Sequence, residues 1–480
     1  MTALVWYRND LRVRDHGPLA AALAGGGTVR ALWLFCEQQW DEHDVAPLRR
    51  WYMLESLREL GRSLAELGVS LDLLECGDFA SAPKVLDEHV GRHGVHRVHC
   101  NREYPLNEMR RDWAVAATLE QRGVSLAWHD DGMLVSPEAL RTVQGKPYTV
   151  FTPYRRSWDR QLDAGPLQLP GTPSPAGDPV SFQGEARIDS ALEGLEVSTT
   201  ARGIWSPGEA AALERLDRFV DEHLRDYAHC RDLPELDATS RLSPALSAGT
   251  LSPGRCYRLA RQCADSEPAM AEGARAWISE LAWRDFYRQI MVHFPRLARG
   301  EPFREEGNFL HWSHNDELFD AWCRGQTGFP LVDAAMRQLN ETGWMHNRLR
   351  MLVAMFLTKH LFIHWGRGER YFMSRLIDGD FASNNGGWLW SASLGTDAVP
   401  YFRVFNPVRQ SQRFDSRGAF IRRYVPELRE LDDRNIHTPW KAPLLAPDYP
   451  SPLVELAGVR DRVSAAFREA RQRAERERRR

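Results

Sequence analysis

The stretch Val29-Arg30-Ala31-Leu32-Trp33-Leu34-Phe35, together with the run over residues 47–67 that follows it, decides the fold class. The first is a short apolar run of residues that suit a pleated backbone, and it reads as a strand. The second sets Leu48, Trp51, Tyr52, Leu54, Leu57, Leu60, Leu64 and Leu67 on one broad helical face, with Pro47 at its start and Gly68 just past its end. Working outward, residues 3–7, 70–74, 95–100 and 124–128 share the strand character, and helix-periodic stretches separate them. Alternation of this kind implies a parallel sheet covered by helices, an α/β, Rossmann-like N-terminal domain over residues 1–130. No G-x-G-x-x-G follows the first strand, and Gly25-Gly26-Gly27 comes after a helix, so a dinucleotide site of the usual kind is not expected there.

At 480 residues the chain exceeds what one hydrophobic core covers, which calls for a second domain. Over residues 131–205 the periodicity dissolves, and residues 165–180 are rich in Pro, Gly and Ser, so this part reads as a long interdomain connection. Ser206-Pro207-Gly208-Glu209 looks like a helix start, Ser at the cap and Glu three positions on. Helical periodicity then dominates, and residues 206–455 read as an all-α domain. Residues 456–480 keep a weak apolar stripe (Val459, Val463, Phe467) before turning Arg-rich, the pattern of a frayed surface helix in a basic tail.

A net charge of −3 argues against a protein that coats nucleic acid by overall attraction. Local balance differs: residues 341–375 carry Arg348, Arg350, Lys359, Arg367, Arg370 and Arg375 against only Glu341 and Glu369, a field suited to a phosphate-bearing partner. Seven cysteines show neither metal-ligand spacing nor the density of a secreted disulfide scaffold, and a reducing cytoplasm fits them. No window approaches a membrane span, and the start lacks a basic lead and apolar run, so the chain reads as soluble and untargeted.

The segment Asp378-Gly379-Asp380-Phe381-Ala382-Ser383-Asn384-Asn385-Gly386-Gly387-Trp388-Leu389-Trp390 packs carboxylates, amides, permissive glycines and two indoles into a short span. Carboxylates and amides suit the rim of a heterocycle, glycines allow close backbone approach, and indoles offer polarizable faces; the ring inferred is a flavin. Upstream, Trp344-Met345-His346-Asn347-Arg348-Leu349-Arg350-Met351 supplies arginines that could pair with those carboxylates. In Trp277-Ile278-Ser279-Glu280-Leu281-Ala282-Trp283-Arg284-Asp285-Phe286-Tyr287, helical spacing puts Glu280 roughly on one face with Trp277 and Trp283. A carboxyl among indoles needs a polar partner, and a nucleobase edge offers one; the plainer alternative is a surface Glu pairing with Arg284. Thr239-Ser240-Arg241-Leu242-Ser243, following Tyr227, gathers hydroxyls around a guanidinium, a set that phosphate oxygens want. Eight of the 17 tryptophans fall within residues 277–390, where an even spread would give about four.

These segments, with Val5-Trp6-Tyr7-Arg8-Asn9-Asp10-Leu11-Arg12 and Gly328-Phe329-Pro330-Leu331-Val332-Asp333-Ala334-Ala335-Met336-Arg337, resemble the photolyase and cryptochrome family over nearly the whole length, and most closely its bacterial class I cyclobutane pyrimidine dimer photolyases. The resemblance implies a bent FAD, held through its diphosphate by Tyr227, Thr239, Ser240, Arg241, Leu242 and Ser243, with Trp277, Glu280, Asn347 and Gly379 also in the pocket. It implies that Asp380 takes the flavin imide N–H, that Asp378 pairs with Arg350, and that Asn384 faces the central-ring nitrogen. It further implies that light on reduced FAD splits a dimer flipped out of double-stranded DNA. Glu280 would bond the pyrimidine edge, Trp283 and Trp390 would wall the lesion, and Met351 would lie beneath it. Arg348 and Arg403 would hold phosphates, and Trp388, Trp365 and Trp312 would relay electrons to the surface. Asn107 and Glu108 match the pair that binds a methenyltetrahydrofolate antenna, although Ala298-Arg299 stands where folate-type relatives carry Cys-Lys. The resemblance also implies a cytoplasmic monomer.

Three other readings compete. A cryptochrome-type photoreceptor would share fold and flavin but signal through a partner; Asn384 and the set Glu280, Trp283 and Trp390 speak against it. A (6-4) photolyase would show a histidine pair at its lesion pocket, where this chain has Asn347 and Met351. A helical binding module without photochemistry would leave the tryptophans as core.

Overall fold

The computed structural model describes residues 1–165 and 167–479; Pro166 of the connection and Arg480 of the basic tail lie outside the described residues. The chain packs as two units: Met1–Ala228 with Ser240–His293 and Ile377–Asp380, and His229–Thr239 with Phe294–Leu376 and Phe381–Arg480.

The first unit contains the expected sheet. Strands β1 (Thr2–Trp6), β2 (Thr28–Phe35), β3 (Ser70–Glu75), β4 (Val95–Asn101) and β5 (Ser125–His129) are all parallel, in the order β3-β2-β1-β4-β5. Parallel neighbours need crossovers, here helices α1 (Gly17–Ala24), α2 (Glu37–Glu42), α3 (Pro47–Glu66), α4 (Ala82–His93) and α5 (Leu106–Gln121). Leu4, Trp6, Leu32 and Val98 from the strands meet Leu86, Val90, Val115 and Leu119 from α4 and α5 in one buried cluster. Helix α3 buries Trp51, Leu54, Leu57 and Leu64 as its periodicity requires. Strand order reverses at β1, so the carboxyl ends of β1 and β4 border the place where such sheets form a crevice. Polar side chains crowd there: Asp10 accepts from His16 Nε2 at 2.9 Å and Asn101 Nδ2 at 2.8 Å, and Arg111 donates to Glu103 at 2.6 Å.

The connection is more structured than its composition suggests. It holds helices Phe151–Asp163, Glu185–Leu192 and Thr199–Ile204, the last two too short for periodicity to reveal. Its backbone is tied down as well, with Ala176 N–H on Leu67 O at 2.8 Å and Val180 N–H on Ala65 O at 2.9 Å. Packing also divides the chain later than residue 205. Residues 206–228 and 240–293 belong with the sheet because Glu209 accepts from the N–H groups of Val13 and Arg14 at 2.8 and 3.0 Å, and Arg255 pairs with Asp15 at 2.7 Å. Glu209 is therefore the first residue of its helix, capped by Gly208, and not the third residue of a Ser206-capped turn.

The helix Ala271–His293 is clamped on one face. Asp285, fully buried, accepts at a single oxygen from Leu134 N–H (2.9 Å), Val135 N–H (3.1 Å) and Trp158 Nε1 (3.0 Å). Arg284 and Arg288, one helical turn apart, both donate to Gly132 O at 2.6 and 2.7 Å.

The second unit is helical; its only extended pairing among the described residues is an isolated bridge between Ser313 and Ile363. Helices Asn347–Met355 and Trp365–Met373 both pack on Phe381–Ser391. The C-terminal segment is not frayed: Val459–Arg478 is a helix whose stripe of Val459, Val463, Phe467, Ala470 and Ala474 is buried. Tyr401 stacks on Phe467 at 5.3 Å, and Lys359 sits over the same ring at 4.5 Å. No helix among the described residues is long and apolar enough to cross a membrane.

Lys359 is itself buried, donating to Ala392 O at 3.1 Å and Ser393 Oγ at 2.8 Å, and burial pulls its pKa down to about 7. In the unfolded chain the amine holds its proton to about pH 10.4, so between these values the unfolded state binds more protons and stability rises with pH. Wild-type protein is therefore expected to gain roughly 3 kcal/mol relative to Lys359→Met from pH 7 to pH 10 in urea unfolding; parallel pH profiles would refute this.

Candidate functional site

In the first unit three groups of the anticipated residues take shape. Tyr227 and Trp277, both buried, pack on Phe219 at ring distances of 5.6 and 4.9 Å. Nearby in sequence the chain turns sharply: Arg241 has φ +47 and Leu242 is right-handed at φ −87, ψ 0. A left-handed residue followed by a right-handed one turns consecutive N–H groups toward one side, which makes a concavity for an anion. Arg215 Nε holds the turn by donating to Ser240 O at 2.9 Å, and Ser243 opens the helix Ser243–Ala248. Thr239, the remaining hydroxyl of this set, falls in the second unit.

The acidic pair forms the second group. Asp378 and Gly379 are buried, and Asp380 pairs with Arg288 at 2.9 Å. Arg49 and Arg284 lie within the field of Asp380, and burial pulls the Arg284 guanidinium down to about 10. Within its own unit, Asp380 thus meets an arginine of the helix Ala271–His293. Its sequence signal was the spacing of Arg284 and Arg288 along one helical face.

Trp283, half-buried, lies one helical turn from Glu280. It stacks on Phe151 at 3.6 Å with 6° between planes, and Tyr287 tilts against it at 5.6 Å. Phe286 meets the same indole edge-on at 5.6 Å. Arg284 donates to Gly132 O at 2.6 Å and Leu246 O at 3.2 Å.

The third group stands on α5. Asn107 Nδ2 lies 3.0 Å from His43 Nε2, and His43 Nδ1 lies 4.0 Å from Glu108. Burial and the neighbouring Glu103 push the Glu108 carboxyl up to about 7, where it can either donate or accept. Gln39 also reaches His43, at 2.9 Å. His43 was missed in the sequence because it approaches α5 from a separate loop, with no local pattern to mark it.

In the second unit Asn384, on the helix Phe381–Ser391, donates through Nδ2 to Glu369 O at 3.0 Å. Anchoring the amide by its nitrogen aims Oδ1 elsewhere, as an acceptor. Trp388, on the same helix, is buried against Phe372 at 5.0 Å and Trp322 at 6.0 Å. Its indole also lies on the bare backbone of Gly368, one helical turn from Trp365, where any Cβ would overlap the ring. Trp365 is buried beside His364 at 5.5 Å; His364 in turn meets the partly exposed Trp312 at 5.5 Å. Trp365, His364 and Trp312 thus run in ring contact from the interior to a partly exposed position, with Trp388 packed on the helix that Trp365 opens. Trp390 and Met351 are half-buried on two helices that pack together, Asn347 is exposed at the start of one, and Arg403 is exposed in the loop beyond. Arg348 pairs with Asp232 and lies over Phe414 at 4.7 Å. Arg350 Nε donates to Met345 O at 2.8 Å.

Comparison with known proteins gives a consistent picture. Residues 3–177 match the family model described as DNA photolyase, and residues 277–469 match the FAD binding domain of DNA photolyase. A deoxyribodipyrimidine photo-lyase of Vibrio cholerae is 42% identical over 94% of this chain and 96% of its own. Among solved structures, a bacterial class III photolyase from Agrobacterium tumefaciens superposes with a TM-score of 0.84 at 33% identity, covering 98% of both chains. A Synechocystis cryptochrome also reaches 0.84, at 29% identity over 97% of this chain and 99% of its own.

The contact of Trp388 with Gly368 carries its own test. Gly368→Ala is expected to force the indole aside at a cost of about 2 kcal/mol, with a changed tryptophan signature in near-UV circular dichroism. An unaltered spectrum and stability would show that the packing tolerates a methyl there.

Proposed function

This chain belongs to the DNA photolyase family, and on that premise we propose that it is a light-driven DNA repair enzyme, a deoxyribodipyrimidine photolyase of the cyclobutane, class I type. The observation that carries the reading is the run of Trp365, His364 and Trp312 in ring contact from the interior to a partly exposed position, with Trp388 packed on Gly368 of the helix that Trp365 opens. A redox group at the inner end gives that continuity a use.

The residues present fit FAD. In the first unit the N–H concavity at Arg241 and Leu242, with the Ser240 and Ser243 hydroxyls, suits a diphosphate, with Tyr227, Trp277 and Gly379 as further candidate contacts; Thr239 and Asn347 are the candidates of the second unit. Asp380, its charge balanced by Arg288, would accept the imide N–H. Asn384, held through its nitrogen by Glu369 O, offers Oδ1 to the N–H of a reduced central ring. When bound and reduced, FAD supplies the photoexcited electron that opens the cyclobutane ring.

The protein's own part is to position and stabilise. Glu280 donates a hydrogen bond to the pyrimidine carbonyl edge where negative charge develops, which requires a carboxyl that keeps its proton beside indoles. Trp283, stacked on Phe151, is the candidate lesion wall of the first unit; Trp390 and the adaptable Met351 are those of the second. The lesion arrives by flipping out of double-stranded DNA, as photolyases and other base-modifying enzymes require, and damage lowers that cost. Arg403 is exposed and available to a backbone phosphate; Arg348 would have to exchange Asp232 for one. Salt should therefore weaken binding.

Asn107, Glu108 and His43 form the seat of an antenna, which we assign to methenyltetrahydrofolate because a carboxyl able to give or take a proton matches the amino-amide edge of a pterin. The protein acts as a cytoplasmic monomer; no disulfide among the described residues supports a reducing compartment. A photoreceptor role would need a signalling partner, and Glu280 one helical turn from Trp283 is better spent on a lesion.

Under blue light the reduced protein should clear cyclobutane dimers from DNA and do nothing in the dark; dimer counts that stay flat with reduced flavin confirmed would end the proposal. Glu280→Ala should lower repair per absorbed photon several-fold with flavin retained. Trp365→Phe should block photoreduction of oxidised flavin while sparing repair by chemically reduced protein, and normal photoreduction would remove the relay role.

A further inference from the structure

Far from these residues in sequence and role, α4 and the edge strand β3 share an unusual polar cluster. His89 and His93 lie one turn apart on α4, their rings 4.5 Å apart, and Asp72 of β3 approaches from the sheet. One ligand atom from each of the three side chains can be chosen so that all lie within 4.8 Å of one another. His89 is only 3% exposed, yet neither ring nitrogen has a hydrogen-bond partner, and its Nε2 stands 3.4 Å from Asp72 Oδ2. A buried imidazole with both nitrogens unpartnered forfeits its hydrogen bonds to water without replacement, and such a group calls for an explanation.

From this geometry we propose that Asp72, His89 and His93 form a binding site for a divalent transition-metal ion of the zinc class. Two histidines at i and i+4 on one helical face place their nitrogens on a common side, and a carboxylate from a neighbouring strand closes a three-ligand set, with water in the fourth position. Tetrahedral bonds of about 2.05 Å to nitrogen and oxygen put ligand atoms about 3.3 Å apart, close to the Nε2–Oδ2 spacing already present. Only His93, partly exposed at the helix end, has to close in. Burial holds His89 neutral, its pKa down to about 4, so its nitrogens need no deprotonation at neutral pH.

Arg30 is the counterweight. It donates to both oxygens of Asp72, at 2.7 to 3.1 Å. Arg30 Nη2 is shared between the two oxygens, so its shift wholly onto Oδ1 frees one lone-pair direction of Oδ2 for the ion while Nε and Nη2 keep the carboxylate fixed, as outer partners of metal ligands do. The guanidinium charge also repels the ion, which sets a moderate affinity and predicts that an uncharged residue at position 30 that still packs will not abolish binding. The bound ion would staple α4 to the edge of the sheet and leave the flavin and lesion residues untouched.

The test uses the untagged, flavin-loaded full chain after chelation, titrated with ZnCl2 in calorimetry and with Co2+ in visible absorption. Wild type should take up one equivalent of Zn2+, give the intense absorption of four-coordinate Co2+, and shift its thermal midpoint upward with Zn2+. His93→Gln, at a partly exposed position, should retain flavin and fold while weakening Zn2+ binding by roughly tenfold or more. Arg30→Met should bind at least as tightly as wild type. No stoichiometric uptake by wild type, uptake that is unchanged in His93→Gln, or weak six-coordinate Co2+ spectra would overturn the site.

Discussion

Much of the first unit hangs on the buried carboxylate of Asp285. One of its oxygens gathers two backbone N–H groups and an indole N–H, all from the segment that follows the sheet, and so fastens that segment to the helix Ala271–His293. Burial raises the cost of carrying charge there, and the three donors are what make it tolerable. Removing the carboxylate would strand three buried donors together. The consequence is directional: with Asp285 fixed on one side of the helix, Glu280 and Trp283 are held on the other, presented by a rigid element in place of a loop.

Charge is distributed with similar economy. Asp380 meets Arg288, and Arg288 also grips Gly132 O, so one guanidinium both balances an acid and tightens the clamp. Glu108 illustrates the opposite arrangement, a buried acid beside a second acid, where the proton is retained and the carboxyl gains a donor it would otherwise lack. Two carboxylates in one unit are thus given different chemical roles by what surrounds them, not by their identity.

In the second unit the absence of a side chain matters as much as its presence. Gly368 lets Trp388 lie on the backbone of the helix that begins at Trp365. His364 joins Trp365 to Trp312. The seat of the Trp388 indole rests on a glycine whose only local sign is its place in Trp365-Gly366-Arg367-Gly368.

The amino-acid sequence determined the five strands, the long helix α3 and the helical character of the second unit, because buried parallel strands and amphipathic helices carry their periodicity in the residues themselves. It also determined which residue types gather at 277–287 and 378–390, since the motif is local. It could not determine that short helices fill the connection, that residues 206–228 and 240–293 pack with the sheet, or that residues 459–478 dock through their apolar stripe. Nor could it assign Arg288 to Asp380, Asp232 to Arg348 or His43 to Asn107. Each of these is a meeting between segments far apart along the chain, selected by the desolvation of a charge or the burial of a ring, and only the tertiary structure decides which partner arrives.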